Sequence, residues 1–153
     1  MEGDDRLIAA SPLHAAWCAA LHAESFPPGE AWSEAAFATS LATGGGFGFL
    51  IEAGGFILAR VASGEGEILT LAVHPACRRH GFARRLVCAA LDEARARGAD
   101  AMFLEVAADN LPALALYAGL GFTRCGGRRD YYGPGRHAVL MRRELAGSSG
   151  SPA

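Results

Sequence analysis

The sequence predicts a single α/β domain built on a mixed, mostly antiparallel sheet, and three observations carry that prediction. Apolar segments at 47–53, 56–62 and 65–74 are separated by the short turns Gly54-Gly55 and Ser63-Gly64, a pattern that favours antiparallel hairpins. A helical pattern over 81–97 then leads into an apolar run at 101–106, and a strand–helix–strand connection makes its two strands parallel neighbours. Finally, the chain has 153 residues, 51% hydrophobic and 20% charged, which suits one globular core rather than several domains or a disordered chain.

Each element has a local reason. Residues 6–10 (RLIAA) form a short first strand. Ser11 and Pro12 follow as an N-cap and a first helical residue, and Leu13, Trp17, Ala20 and Leu21 recur at helical spacing to about Glu24. Phe26-Pro27-Pro28-Gly29 stops that helix; Ser33 caps a second over 34–43, and Gly44-Gly45-Gly46 makes a loop. After the three hairpin strands, the helix at 81–97 turns an apolar face of Leu86, Val87, Ala90, Leu91 and Ala94 toward the core and ends at Gly98. Asn110 caps a further helix over 111–120, with Pro112 in its first turn. Segments 122–131 and 136–145 read as a final strand pair across the loop Tyr132-Gly133-Pro134-Gly135. The domain is therefore expected over 5–145, with 146–153 a small, polar, disordered tail.

Composition excludes several functions. The net charge of −2 argues against direct nucleic-acid binding. No apolar run reaches membrane-spanning length, and the first ten residues (MEGDDRLIAA) are acidic where a secretory leader is basic, so the expectation is a cytoplasmic protein off the membrane. Cys18, Cys77, Cys88 and Cys125 show no metal-binding or disulfide spacing, so no metal is expected. All fourteen basic residues are arginine, there is no lysine or glutamine, and Asn110 is the lone asparagine, a bias that looks like a GC-rich genome. Residues 1–77 hold nine acids and two arginines, whereas 78–153 hold seven acids and twelve arginines. Chance on solvated faces explains this as well as a basic half for an anionic cofactor and an acidic half for a cationic substrate.

The stretch 67–86, EILTLAVHPACRRHGFARRL, is the most informative. An apolar strand breaks at His74-Pro75, turns through Arg78-Arg79-His80-Gly81, and continues as a helix. The first amides of a helix lack intrahelical partners and its dipole is positive there, so this turn can cradle phosphates. GFARRL lacks the third glycine of a dinucleotide fingerprint, and no Gly-Lys-Ser/Thr of a P-loop exists. Glu105 stands alone in the apolar strand AMFLEV, beside Phe103 on one face, with Met102, Leu104 and Val106 on the other. A strand covered on both faces leaves this carboxylate partly desolvated, an environment that suits a general base; a structural ion pair with an arginine is the alternative. Tyr117, on the helical face of Leu114 and Leu120, reads on pattern alone as a core aromatic.

Arg78-Arg79-His80-Gly81-Phe82-Ala83 resembles the Arg/Gln-x-x-Gly-x-Gly/Ala cofactor motif of the GNAT superfamily of N-acetyltransferases. With LAVHPACRRHGFARRL, FLEVAADNLPALALYAGLGF, RRDYY and the early FPPGEAWSEAAF, the chain resembles the RimI-type branch over about residues 5–145. That branch acetylates the N-terminal alanine of small-subunit ribosomal protein 18. The resemblance implies acetyl-CoA as cosubstrate and a sheet splayed between its fourth and fifth strands. It implies that Leu71, Ala72 and Val73 bond the pantetheine arm through their backbone, that Arg79, His80, Gly81, Phe82, Ala83 and Arg84 face the pyrophosphate, and that Asn110 makes a further cofactor contact. Glu105 becomes the proton acceptor and Tyr117 the proton donor to the leaving thiolate. Glu67 shares the role of base in some histone-type members and is the runner-up; by strict alternation it lies on the face of Leu69, Leu71 and Val73. Tyr131 and Tyr132 fall on a substrate-side wall. Two segments depart from the family pattern: FPPGEAW is longer than expected, and Arg136-His137 replaces an acidic pair. The implied partner is a protein N-terminus, that of a ribosomal protein. A small amine, another protein, or acyl-CoA binding without catalysis are the alternatives.

Overall fold

The computed structural model describes residues 5–78 and 80–145. Arg79 and the tail expected at 146–153 lie outside the described residues. In chain order the elements are β1 (Leu7–Ala9), a 3₁₀ turn (Pro12–His14), α1 (Ala15–Ser25), α2 (Glu34–Ala42), β2 (Gly46–Ile51), β3 (Gly55–Ala62), β4 (Glu65–Val73), a second 3₁₀ turn (Pro75–Cys77), α3 (Phe82–Ala96), β5 (Ala101–Ala107), α4 (Leu111–Gly119), β6 (Thr123–Gly133) and β7 (Arg136–Glu144). The strands form one sheet in the order β1-β2-β3-β4-β5-β7-β6, antiparallel throughout except for the parallel pair β4–β5.

The capping residues act as their chemistry requires. Ser11 Oγ accepts the Leu13 amide, Ser33 Oγ the Ala36 amide, and Asn110 Oδ1 the Ala113 amide, so each helical segment starts where a side chain can satisfy an otherwise orphaned donor. Ser63 and Gly64 both have positive φ, +52° and +79°, the backbone of a two-residue hairpin turn whose twist matches the strands it joins. The β2–β3 turn differs from expectation: it spans 52–54, and Gly55 already pairs with Ile51 inside β3. The last hairpin differs more. Strand β6 continues through Tyr131 and Tyr132 to Gly133, the turn is Pro134-Gly135, and register is lost between Arg128 and Gly133. Asp130, at φ +56°, anchors this irregular stretch: its amide donates to His137 Nδ1 and its Oδ1 accepts the Gly135 amide.

The sheet separates two apolar layers. Beneath α3 and α4 lies the larger one, where Leu86, Val87, Ala90, Leu91 and Ala94 of α3 are all buried against Ile57, Ala59, Ile68, Met102, Leu104 and Val106. On the other face α1 and α2 cover Leu50, Phe56, Leu58 and Ala72 with Cys18, Leu21 and Phe37. Burial of each Leu, Ile, Val, Phe or Met among them contributes about 1.5–3 kcal/mol before conformational entropy is set against it, and the alanines less, so both layers stabilise the sheet.

Strand β4 is irregular in two ways. First, it pairs with β5 only over Glu65–Ala101, Gly66–Met102 and Glu67–Phe103; beyond Glu67 the strands part. Second, Leu58 pairs with Thr70 but Ala59 with Ile68, so Leu69 is an extra residue, a β-bulge. The bulge corrects the alternation read from sequence. Glu67 and Leu69 lie on the α1 side, as does Thr70, and Ala72 follows in the α1–α2 layer. Leu71 and Val73 pack into the α3 layer instead. Glu67 thus does not share a face with Leu71 and Val73, because one inserted residue shifts the two-residue period.

Candidate active site

Where β4 and β5 diverge, the strand edges cannot satisfy one another, and a cavity of about 720 Å³ opens between them. Its floor carries Glu67, Ile68, Leu69, Thr70 and Leu71 of β4 and Leu104, Glu105, Val106 and Ala107 of β5. The loop after α1 supplies Phe26, Pro27, Glu30 and Trp32 on one wall, and the hairpin β6–β7 supplies Tyr131, Tyr132 and Arg136 on the other. At the far end stand Asp109, Asn110, Ala113 and Tyr117. Glu105, Asn110, Tyr117 and Leu71, singled out from the sequence, therefore come together with the runner-up Glu67.

Glu105 projects from β5 away from the buried Met102, Leu104 and Val106, with about a fifth of its side chain exposed. Its Oε2 is buried and accepts no hydrogen bond among the described residues. Arg128 Nε lies 3.1 Å from this oxygen, so the structural ion pair named as the alternative to a base is present, yet without hydrogen-bond alignment. A charge-stabilising neighbour and an open lone pair coexist here; a carboxylate so placed can still accept a proton from a group in the cavity. Glu67 differs. Its Oε1 receives both Arg60 Nη2 at 2.9 Å and Nε at 3.2 Å, and the pair is well exposed.

Tyr117 is buried and packs edge-on against Phe122. Burial pushes its phenol well above the ordinary tyrosine range, so it keeps its proton at neutral pH. Although buried, the residue lines the cavity. Tyr132 is also shifted upward, by burial first and then by the charge of Glu105. Asn110 spends its side-chain oxygen on capping α4, which leaves its NH₂ as the group available to a ligand.

Beyond the end of β4, Gly81 is the N-cap of α3 with φ +77°, a left-handed conformation that glycine adopts without strain. No side chain among the described residues caps this helix, so the amides of Phe82, Ala83 and Arg84 keep their donors, and the first internal bond runs from the Arg85 amide to Gly81 O. A Cβ at Gly81 would meet nothing within 4 Å, so the space before the helix end is open. Arg78 Nε reaches back to Val73 O at 3.4 Å and ties the turn to β4. His80 is exposed beside it. An uncapped helix N-terminus with an arginine-rich turn fits an anionic pyrophosphate.

Sequence reading missed His22, Thr70, Glu30, Arg128 and Arg136 as members of the site. His22 is 1% exposed; its Nδ1 accepts the Trp32 amide at 3.1 Å, which leaves Nε2–H to donate to Thr70 Oγ1 at 2.9 Å. Burial holds its pKa down to about 4, so the ring is neutral and serves as a bracket between the loop and β4. Arg136 and Glu30 had left a trace in the sequence, as parts of the two segments that depart from the family pattern, and Arg128 as the start of RRDYY. Among the described residues no cluster could hold a metal ion, and no helix is long and apolar enough to cross a membrane.

A mixed sheet that opens into a cleft beside an uncapped, arginine-flanked helix, with a carboxylate and a tyrosine in the cleft, fits a transferase that takes a phosphate-bearing cosubstrate. Residues 15–122 match the family model described as Acetyltransferase (GNAT) family, and the chain belongs to that family, whose acyl donor is acetyl-CoA. It is similar to the N-alpha-acetyltransferase RimI of Mycobacterium tuberculosis, at 38% identity over 144 residues that cover 88% of this chain and 87% of the relative. The ribosomal protein bS18-alanine N-acetyltransferase of Escherichia coli K12 is 39% identical over 77 residues, covering 50% of this chain and 52% of the relative, so the match spans about half of that protein's length. A crystal structure of the ribosomal-protein-S18-alanine N-acetyltransferase from Escherichia coli aligns over 92% of this chain and 94% of its own, with TM-score 0.77 and 26% identity. The mixed, splayed sheet expected from the sequence is the one observed.

Proposed function

We propose that this acetyltransferase acetylates the N-terminal α-amino group of a protein, that of the N-terminal alanine of small-subunit ribosomal protein 18, in the cytoplasm. The observation that carries the reading is the opening between β4 and β5, which joins an acid-lined groove to the side of the sheet where α3 begins. The names of the similar relatives support the α-amine as acceptor.

When bound, acetyl-CoA supplies a thioester carbonyl activated for attack by an amine. The amides of Phe82, Ala83 and Arg84, with Arg79, His80 and Gly81, hold its pyrophosphate. The unpaired edge of β4 at Leu71, Ala72 and Val73 bonds the pantetheine arm and offers an N–H to the oxygen that gains charge during transfer. Asn110 steadies the arm through its free NH₂. Only a neutral amine attacks. An α-amino group with pKa near 8 is about one-tenth neutral at pH 7, whereas a lysine is neutral in about one molecule in a few thousand, so an N-terminal acceptor asks less of the base. Glu105 takes the amine proton, and Tyr117, held protonated by burial, gives one to the departing thiolate.

The test is incubation with acetyl-CoA and a panel of α-amine peptides, lysine peptides and small amines, read by mass spectrometry. Acetylation of the alanine-starting ribosomal peptide at its α-nitrogen is expected. Modification confined to lysines or small amines would overturn the acceptor assignment, and binding of acetyl-CoA without turnover would overturn catalysis.

A further inference from the structure

The two segments that depart from the family pattern meet across the groove. Glu30 belongs to the long loop FPPGEAW and Arg136 opens β7, 106 residues later, and Arg136 Nη1 donates to Glu30 Oε2 at 2.8 Å. The same guanidinium has Nε 3.6 Å from Asp109 Oδ2 in the β5–α4 loop and lies over the Tyr132 ring at 5.6 Å. All four residues line the cavity, and both partners of the short pair are partly shielded, at 38% and 27% side-chain exposure. One arginine thus joins both walls of the groove to the loop at its end.

We propose that Arg136, clasped to Glu30, is a positioning residue for the amine substrate. Charge excludes direct recruitment as its purpose. Among the described residues, the cavity lining holds Glu30, Glu67, Glu105 and Asp109 against Arg136 as the one arginine, and a guanidinium repels a protonated amine. What Arg136 supplies is order. The loop is pinned at its root by His22, which accepts the Trp32 amide, and braced within by the Glu30 amide on Pro27 O. Opposite, residues between Arg128 and Gly133 have left the β6–β7 register and so lack regular ladder bonds to hold Tyr131 and Tyr132. The clasp fastens these two irregular walls, each otherwise held only by its own local bonds, to each other. A substrate entering the fastened groove meets walls already ordered, which lowers the conformational entropy lost on binding. The clasp does not reach the Gly81 turn, so the pyrophosphate end of acetyl-CoA is held independently of it.

The inference rests on the groove as the amine site, and the test separates the two. Glu30→Gln and Arg136→Gln should each raise the peptide KM about tenfold while kcat and the acetyl-CoA KM stay within about twofold. Arg136→Lys should recover part of the loss, and the exchange Glu30→Arg with Arg136→Glu most of it. A peptide KM unmoved in both single variants, or an exchange no better than either, overturns the clasp. Amide hydrogen exchange on the enzyme alone supplies a second reading. In Arg136→Gln, residues 27–32 and 129–132 should lose protection together while 82–86 do not, and unchanged protection of both walls overturns the clasp whatever the acceptor proves to be. Melting temperatures identify any variant that has failed to fold, and Glu30→Gln, a neutral near-isostere, then decides.

Discussion

The two ends of the cleft are built from different materials. Around Gly81 the site is backbone: a left-handed N-cap, uncapped helix amides and the freed edge of β4, all within one continuous stretch of chain. Around Glu105 it is side chains, drawn from α1 and its loop, β4, β5, α4, β6 and β7. A backbone-built end tolerates changes of side chain but not of φ. A side-chain-built end tolerates backbone detail but not the loss of a functional group. The contrast makes the two ends separable by substitution.

Glu105→Gln should break the side-chain end most. It keeps the shape and removes the proton acceptor, so kcat should fall about 10²-fold or more with acetyl-CoA Kd nearly unchanged, as steady-state kinetics and calorimetric titration would read. Tyr117→Phe should lower kcat at least about tenfold with the same selectivity, and normal kcat in both variants would sink the assignment of roles. Gly81→Val attacks the backbone end. A β-branched residue at φ +77° carries strain of about 1–3 kcal/mol and its methyls enter the phosphate space, so acetyl-CoA Kd should rise at least about tenfold while the protein melts as a folded domain.

A pH series sharpens the comparison through the loop bracket. His22 has a folded pKa of about 4, below its ordinary 6.5, so folding favours the neutral ring. Its contribution to stability is complete above about pH 6.5 and is lost as pH falls toward 4, with a ceiling of ~3 kcal/mol. Urea midpoints of the wild type should decline over that window, and His22→Gln should flatten the decline. The smallest effect belongs to Glu67→Gln. Its carboxylate is occupied by an exposed Arg60, so kcat should change no more than about threefold. A loss as large as that of Glu105→Gln would transfer the base to β4.

The same contrast decides what the sequence could disclose. The backbone end was legible because a strand, a turn and a helix start are consecutive, and RRHGFA names them. Capping residues Ser11, Ser33 and Asn110 were legible for the same reason, since a cap acts within three residues of itself. The side-chain end was legible at Glu105, where a lone carboxylate interrupts an apolar strand, and at Asn110, Tyr117, Tyr131 and Tyr132, where the family motifs supplied what pattern did not. His22 resembles any helix residue until Trp32 and Thr70 are brought to its two nitrogens. Arg136 and Glu30 are one arginine among fourteen and one acid among sixteen until the fold sets them 2.8 Å apart. Strand β6 ran past its expected end because Asp130 supplies side-chain bonds where the ladder fails.

The bulge at Leu69 leaves its own signature. Strand β4 runs in one phase from Glu65 to Leu69 and in the opposite phase from Thr70 to Val73. In a saturation scan of this strand, tolerance to polar substitution should alternate with a period of two and skip one beat at Leu69. Deletion of Leu69 itself would remove only the extra beat, because Ala59–Ile68 and Leu58–Thr70 would become consecutive pairs. Thr70 would stay on His22, Ala72 in the α1–α2 layer and Leu71 and Val73 in the α3 layer, whereas a residue inserted or deleted between Thr70 and Val73 would turn the end of the strand over.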